Sequence, residues 1–204
     1  MHISEHKSAT RFNTFLHLSG IILLRLMMLS GIVLAMPLAA NAQMDHGDHD
    51  HGGGHATAKL VEEVREATRQ YINVNAAEAA GYGKFLDCVS GPDQGAMGVH
   101  YVKNAPLKTG NGPDVREPQA LIYEPSEDGA MRLVGVEYIV DAASWLANPK
   151  NAGAPVLDGQ VFQMVTSPNR YGLPNFFELH VWAWRDSPNG AFVDWNTHVT
   201  CENQ

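Results

Sequence analysis

Apolar residues recur at steps of three and four within residues 57–80, with polar residues between them. The apolar positions are Leu60, Val61, Val64, Ala67, Tyr71 and Val74. This spacing places them on one face of a helix. Glu62 and Glu63 suit the positive end of the helix dipole, and Gly81 is a typical residue just past a helix end. The pattern predicts one long amphipathic helix over residues 57–80 that covers an apolar surface.

Beyond residue 86 the pattern changes to short apolar runs separated by Gly, Pro, Asn and Asp, which is typical of strands and turns. The predicted strands are residues 99–102, 120–123, 131–140, 161–165, 176–184 and 192–199. The turn sequence Ser-Glu-Asp-Gly at residues 126–129 predicts a hairpin between the second and third of them. The sequence therefore predicts a single α+β domain over residues 57–204, an antiparallel sheet with one long N-terminal amphipathic helix packed on a face.

Residues 1–42 have the organisation of a bacterial signal peptide. Lys7 and Arg11 form a basic n-region, residues 26–38 form an apolar h-region, and residues 40–42 (Ala-Asn-Ala) form a cleavage motif. The alternative is an uncleaved membrane anchor, which conflicts with Arg25 because this residue interrupts the longer apolar run that a spanning helix needs. We expect a periplasmic or secreted protein with no membrane association after cleavage.

Residues 43–56 are rich in His, Asp and Gly and lack apolar periodicity, which predicts a disordered tail. Its histidines are His46, His49, His51 and His55. Imidazole and carboxylate groups together bind borderline divalent ions such as zinc, nickel and copper(II). The alternative is a solvated linker whose histidines bind nothing. We expect the tail to collect metal ions with low selectivity, because it offers no fixed geometry.

The chain is acidic, with 22 Asp and Glu residues, 14 Lys and Arg residues and a formal net charge of −8. Three basic residues and one acidic residue fall in the predicted signal peptide, so the mature chain is more acidic still. Such a charge repels phosphate backbones and attracts cations. Nucleic acid is therefore a poor partner, and metal ions are the expected one.

Cys88 and Cys201 are the two cysteines of the chain. An isolated pair in an exported protein predicts one disulfide, which would join the segment after the first helix to the C-terminal part of the chain. A thiolate metal site is the alternative.

Three strand-like segments each carry an ionisable residue among apolar neighbours. These residues are His100, Glu137 and His180, and His180 shares its face of the strand with Glu178. Burying such groups without partners costs roughly 2–7 kcal/mol. Two histidines and a carboxylate are a common open ligand set for zinc or iron, so the sequence predicts a shared metal site, with His198 as a candidate fourth ligand.

An alternative explains each of these residues separately. Each histidine would be a core residue bonded to a backbone carbonyl, and Glu137 would pair with an arginine such as Arg132 or Arg185. A second alternative concerns the tryptophans, which would line a cavity for a small apolar ligand. These are Trp145, Trp182, Trp184 and Trp195.

Several motifs resemble an uncharacterised family of small exported bacterial proteins. They are Gly-Ala-Met-Gly-Val-His-Tyr at residues 95–101, Leu-Ile-Tyr-Glu-Pro at 121–125, Val-Glu-Tyr at 136–138 and Leu-His-Val-Trp at 179–182. The resemblance covers most of the chain from about residue 64 and implies one exported domain, with no activity. The family has Asn-Pro where this chain has Asn196-Thr197, so His198 follows a segment that departs from the pattern.

The sequence contains none of the motifs G-x-S-x-G, H-E-x-x-H, C-x-x-C or G-x-G-x-x-G. Our hypothesis is an exported metal-binding protein with a His-rich collecting tail and zinc or copper as the ion. The alternatives are a small metalloenzyme that uses the same His and Glu residues, and a metal-free domain that binds a small molecule in a Trp-lined cavity.

Overall fold

An antiparallel sheet and three α-helices make up residues 52–103 and 112–204, which are the residues that the computed structural model describes, with side chains from residue 57. The helices are α1 (Gly52–Thr68), α2 (Val74–Ala79) and α3 (Ala142–Leu146). The strands are β1 (Tyr82–Lys84), β2 (Val89–Gly91), β3 (Gly95–Lys103), β4 (Ala120–Pro125), β5 (Met131–Asp141), β6 (Val156–Leu157), β7 (Gln160–Val161), β8 (Gln163–Val165) and β9 (Phe176–Val181). The described residues belong to one compact unit. The predicted signal peptide and residues 43–51 of the predicted tail lie outside the described residues.

The sheet has the strand order β1-β3-β4-β5-β9-β8, with β2 also paired to β3, and β6 and β7 form a separate hairpin. Every pairing is antiparallel. The α+β class with an antiparallel sheet and the hairpin of β4 and β5 are therefore confirmed. The predicted strand over residues 192–199 is wrong, because this segment is irregular and meets the sheet through a single bridge between Ala96 and Asn196.

The single long helix predicted over residues 57–80 is also wrong. Helix α1 begins earlier, at Gly52, and ends at Thr68, where a 3₁₀ turn follows (Arg69–Tyr71). The buried Thr68 hydroxyl donates to the Val64 carbonyl and accepts from the Trp184 indole, so a tertiary contact fixes the end of α1. The side chain of Asn73 then caps α2 by accepting from the Asn75 amide. Asparagine competes with the helical backbone for hydrogen bonds, which explains a new start at this position.

The helices cover one face of the sheet, which we call the helix face. Leu60, Val64 and Ala77 from α1 and α2 pack with apolar side chains of the strands. The main strand residues of this core are Val99, Leu121, Tyr123, Val136, Tyr138, Phe177, Leu179 and Val181. This burial of the apolar helix positions is the reason that α1 and α2 dock on the sheet.

The opposite face, which we call the site face, is covered by residues 192–201, the C-terminal segment. Val193, Val199 and Cys201 of this segment pack on Ile122 and Trp182 of the sheet. Backbone hydrogen bonds join Ala96 and Asn196 in both directions at 3.1 Å, and a Cβ on Gly95 would lie 2.1 Å from the Asn196 carbonyl oxygen. Only glycine permits this approach, so the sequence at the start of β3 determines where the segment crosses the sheet.

A disulfide joins Cys88, before β2, to Cys201 at the end of the C-terminal segment. The predicted pairing is confirmed, and the alternative of a thiolate metal site is excluded because both sulfurs are in this bond. None of the helices in residues 52–103 and 112–204 combines the length and hydropathy required to cross a bilayer.

Candidate metal centre

His100, Glu137 and His180 meet on the site face, as the sequence predicted. Strands β3, β5 and β9 provide one residue each, and all three residues are buried. One ligand atom from each lies within 4.8 Å of those from the other two. Ligand atoms around a bound zinc ion are about 3–4 Å apart, so the spacing of these three atoms is close to the one that a shared ion requires.

The sheet register explains this convergence. Glu137 and His180 are direct partners across β5 and β9. His100 on β3 is opposite Ile122 on β4, which is opposite Gly135, two residues before Glu137. Residues two apart on a strand share a face, so His100 and Glu137 point to the same side. Gly135 adds no side chain to this part of the face, and a Cβ at this position would lie 2.9 Å from the Val181 carbonyl oxygen.

His100 is held as a neutral imidazole. Its Nε2 lies 3.4 Å from Oε2 of Glu137, and the backbone of Gly98 hydrogen-bonds the ring. Burial lowers the pKa of His100 to about 4, although the Gly98 contact acts in the opposite direction. A neutral ring offers a nitrogen lone pair at neutral pH, and a backbone contact that orients the ring is typical of metal-binding histidines.

His180 is 2% exposed, and neither of its ring nitrogens has a hydrogen-bond partner among the described residues. Burial lowers its pKa to about 3, and the nearby His100 adds a smaller effect in the same direction. Nδ1 lies 3.7 Å from Oδ1 of Asp194, which is longer than a hydrogen bond. Trp182 stacks against the ring with the centroids 6.2 Å apart. A buried imidazole with two unused nitrogens is a costly arrangement that a ligand would relieve.

Two acidic residues that the sequence analysis did not select as ligands lie beside this trio. Ligand atoms of Glu178, His180 and Asp194 also lie within 4.8 Å of one another. The Gln163 amide donates to Oε1 of Glu178 at 2.8 Å and to Oδ1 of Asp194. Oε2 of Glu178 is buried and has no hydrogen-bond partner within the described ranges. Glu178 carried a sequence signal, because it alternates with His180, whereas Asp194 lies on the irregular C-terminal segment and carried none.

The carboxyl groups of this centre resist ionisation. Burial raises the pKa of Glu137 well above its ordinary value, and the Glu178 and Asp194 carboxylates raise it further. Burial likewise raises the pKa values of Glu178 and Asp194, and hydrogen bonds oppose this effect at both residues. Among the described residues no Lys or Arg forms an ion pair with any of the three. The centre therefore brings three acidic side chains together, and no Lys or Arg among the described residues neutralises them.

Glu137 does not pair with an arginine, which removes the alternative explanation for its burial. Arg185 donates instead to Glu124 at 2.6 Å, close to the hairpin turn of β4 and β5. Arg132 is exposed and stands opposite Glu124 in the strand register, not opposite Glu137. The partners of Glu137 are instead the neutral His100 ring, whose Nε2 is 3.4 Å away, and the carboxyl group of Glu178.

His198, predicted as a fourth ligand, does not join the centre. It is exposed, and its Nδ1 lies 3.1 Å from the Asp186 carbonyl oxygen. The physical reason is that residues 192–199 are not a strand, so the alternation that would aim His198 at the sheet does not apply. Among the tail histidines, His46, His49 and His51 lie outside the described residues. His55 lies within helix α1.

A surface pocket of about 420 Å³ lies next to the centre. Asp194 and Gln163 line it and also contact Glu178 or His180, so they separate the pocket from the buried trio. Trp195 is the one tryptophan that lines this pocket; the indole nitrogens of the other tryptophans bond to Gly153, Val193 and Thr68. This pocket therefore does not match the alternative of a cavity lined by several tryptophans.

No protein-family model, curated protein or solved structure matches this chain. The site itself combines two neutral imidazoles, three buried or half-buried carboxyl groups and an adjoining pocket. Nitrogen and oxygen donors of this kind are the ligands of zinc, copper and iron.

Proposed function

We propose that this protein binds a divalent transition-metal ion, zinc or copper, through His100, Glu137 and His180. The observation that carries the proposal is the environment of His180, which is almost fully buried and leaves both ring nitrogens unpaired beside His100 and a carboxyl group. Buried polar groups are normally hydrogen-bonded, and an ion at this position would use the lone pair of the neutral ring.

The charge of the centre supports the same conclusion. A buried carboxylate without a cation carries a desolvation penalty, and Glu137 faces other carboxyl groups that add repulsion. A divalent ion would neutralise this charge and bring the Glu137 pKa back toward or below its ordinary value. We propose that a bound cation replaces the proton that these carboxyl groups would otherwise retain.

The ligand chemistry narrows the choice of ion. Two imidazole nitrogens and one carboxylate oxygen suit borderline ions, whereas calcium and magnesium require mostly oxygen ligands. The two cysteines are in a disulfide and cannot contribute thiolates. Zinc and copper(II) are the ions that we expect to bind most tightly, with copper(II) favoured by intrinsic affinity.

The cellular setting that we propose is outside the cytoplasm. The Cys88–Cys201 disulfide supports an oxidising compartment, and the signal-like residues 1–42 support export to the periplasm or beyond. The resemblance to small exported bacterial proteins supports the same setting. In this proposal the histidines of residues 43–56 collect ions and the folded domain retains one.

A metalloenzyme is the second candidate, and the adjoining pocket is the observation that favours it. Three protein ligands leave a coordination position for water or substrate, and the pocket ends at Asp194, 3.7 Å from His180. A storage or delivery protein has no need of such a pocket. Hydrolase screening of the metal-loaded protein, with the His180→Ala variant as blank, would distinguish the two candidates.

The decisive experiment measures ion binding without the tail histidines. The experiment uses a variant of the exported protein in which Asn replaces the four tail histidines, His46, His49, His51 and His55. We call this variant the quiet-tail protein. Titration calorimetry and elemental analysis should show tight binding of zinc or copper(II). His180→Ala in this background should abolish it, whereas His198→Ala, which removes an exposed histidine, should leave it unchanged. Equal affinity of the two variants would disprove the proposal.

A further inference from the structure

We propose that Glu178, His180 and Asp194 form a second ion subsite, and that the His180 ring bridges it to the ion of the inner trio. The inference rests on the proposed function, because it needs an ion at His100, Glu137 and His180. We call the two positions the inner and the outer subsite. The occupant of the outer subsite is a second divalent transition-metal ion of the same borderline class.

The geometry of His180 is the first support. This residue contributes a ligand atom to both groups of donors. Its Nδ1 faces Asp194 at 3.7 Å, which leaves Nε2 for the inner ion. A histidine that binds one metal normally donates its second N–H to a carbonyl or carboxylate within hydrogen-bond distance. Here the second nitrogen has no such bond within the described residues, and the gap to the carboxylate is long enough to admit an ion.

Glu178 is an independent second observation. It is 2% exposed, its Oε1 accepts from Gln163, and its carboxyl group also meets that of Glu137, while Oε2 has no hydrogen-bond partner of good geometry among the described residues. A buried carboxylate oxygen without a donor is costly, and it lies among donors that include the unpaired His180 nitrogen. The outer subsite therefore consists of a buried imidazole without hydrogen bonds, a buried carboxyl group beside that of Glu137, and one half-buried carboxylate, and not merely of acidic residues at a surface.

Charge balance also favours two ions over one. The inner trio has one carboxylate, Glu137, while Glu178 and Asp194 add two more within the same cluster. One divalent ion cannot neutralise all three carboxylates. Two divalent ions balance three carboxylates and one imidazolate.

The bridge requires one proton to leave. A neutral imidazole carries a single N–H proton, on one of its two nitrogens. When both nitrogens of His180 coordinate ions, this proton passes to the solvent, and the ring becomes a bridging imidazolate. No electron is transferred, and both ions keep their oxidation states.

The outer subsite has access to the solvent. Asp194 is 30% exposed in its side chain and lines the pocket, as does Gln163. Asp93 also lines this pocket and adds a negative charge to it. Ions would enter past Asp93 and Asp194, and the inner ion would pass the outer position before it reaches His100.

Ion stoichiometry and copper(II) electron paramagnetic resonance of the quiet-tail protein test the proposal. We expect two copper(II) ions per chain and an exchange-coupled pair, with most of the mononuclear signal intensity lost. Asp194→Asn and Glu178→Gln should each bind one ion and restore a mononuclear spectrum. Asp93→Asn, a matched change in the same pocket, should retain two coupled ions. Circular dichroism shows whether each variant is folded. If one of Asp194→Asn and Glu178→Gln does not fold, the other still tests the proposal.

The alternative outcomes are distinct. One ion per chain, unaffected by Asp194→Asn and Glu178→Gln but lost in His180→Ala, would overturn the outer subsite and leave the proposed function intact. Two ions with uncoupled spectra would overturn the His180 bridge. No ion in the quiet-tail protein would overturn both the proposed function and this inference.

Discussion

Glu137 and His180 face each other as direct partners on β5 and β9, with both side chains buried on the site face. Side chains at directly opposed positions of an antiparallel pair are in contact distance, so this pairing is fixed by the register and not by loop geometry. A donor pair built on two central strands is preorganised, because neither strand can shift without disrupting the core of the helix face. An ion that binds this pair therefore meets ligands that are already in position.

Ion binding should stabilise the folded domain, because the ligands converge only in the native state. At a free zinc concentration one hundred times the dissociation constant, the stabilisation should be about 2.7 kcal/mol. Thermal unfolding of the quiet-tail protein with and without zinc measures this effect. His180→Ala should remove the shift and His198→Ala should retain it. A melting temperature that zinc leaves unchanged in the parent protein would contradict the prediction.

Glu137→Gln should stabilise the metal-free domain while it abolishes tight ion binding. The substitution keeps the shape of the side chain and removes a buried charge that faces Glu178 and Asp194. We expect a gain of about 1–3 kcal/mol at pH 8 in urea unfolding with a chelator present. The control is Glu127→Gln, at an exposed turn position, which should change the unfolding free energy by less than about 0.5 kcal/mol. Loss of stability in Glu137→Gln would show that the charge is compensated within the protein.

The Glu137 carboxyl group should make the metal-free domain lose stability as the pH rises from 4.5, its ordinary pKa, through its raised pKa in the folded state. The pKa of Glu137 is raised in the folded state, mainly by burial, so its contribution is present at low pH and is lost as the pH rises through the folded value. The pKa values of His100 and His180 are lowered to about 4 and about 3, so their contribution is complete above 6.5 and is lost only on acidification. The histidine effect and the carboxyl effect therefore have opposite signs, and the difference between the parent and Glu137→Gln isolates the carboxyl effect.

Urea midpoints of the parent and of Glu137→Gln at a series of pH values from 4.5 upward, in the presence of a chelator, measure this difference. Glu137→Gln should remove the carboxyl contribution to the pH dependence of the urea midpoint, because the main group with a raised pKa is then absent. Saturating zinc should reverse the carboxyl effect on stability, since metal ligands must be deprotonated and binding strengthens as the pH rises. An equal pH dependence of stability in the metal-free parent and in metal-free Glu137→Gln would contradict this prediction.

The Cys88–Cys201 disulfide should be complete in the exported protein, with no thiol available to an alkylating reagent by intact-mass measurement. The paired variant with both cysteines replaced by Ser should be less stable, by roughly 4–5 kcal/mol on the chain-entropy model for a loop of this size. It should also bind ions more weakly at the outer subsite, because Asp194 is on the segment that Cys201 anchors. Unchanged binding would show that the Asn196 bridge alone positions the segment.

Deletion of residues 43–51 should lower the number of weakly bound ions and leave the melting temperature in a chelator nearly unchanged. These residues include His46, His49 and His51, whose imidazoles can bind ions without contributing to the core of the domain. Equilibrium dialysis against zinc and calorimetry measure the two quantities. A marked drop in the melting temperature would mean that this part of the chain packs on the domain.

The site residues that the sequence could predict were those whose own strand segment carried the signal. A carboxylate and two histidines inside strongly apolar strands were sufficient to select Glu137, His100 and His180, because alternation determines the face on which each side chain lies. Asp194 could not be found this way. Its position depends on how the C-terminal segment crosses the sheet, which is determined by the contact of Gly95 with Asn196 and by the disulfide.

The two wrong predictions about the fold, the single long helix and the strand over residues 192–199, also failed because contacts between residues distant in sequence decided the structure. The helical periodicity continues through residues 68–73, but the buried Thr68 bonds Trp184, 116 residues away, and the helix ends there. The apolar alternation in residues 192–199 resembles a strand, yet the segment packs over the site face with one bridge to β3. Helix propensity and alternation describe neighbours in sequence, and in both places a distant contact determined the outcome.

The position of Asp194 and Cys201 after the last strand gives the centre an order of assembly. The inner donors are in place once β3, β4, β5 and β9 have paired in that order, whereas the outer donor set is complete only after the C-terminal segment has crossed the sheet and the disulfide has closed. In a reducing compartment the segment would lack its covalent tether, and capture of a second ion would be weaker. Redox state would thus act as a checkpoint on metal loading, so that a chain acquires its full complement of ions only where its sulfurs can be oxidised.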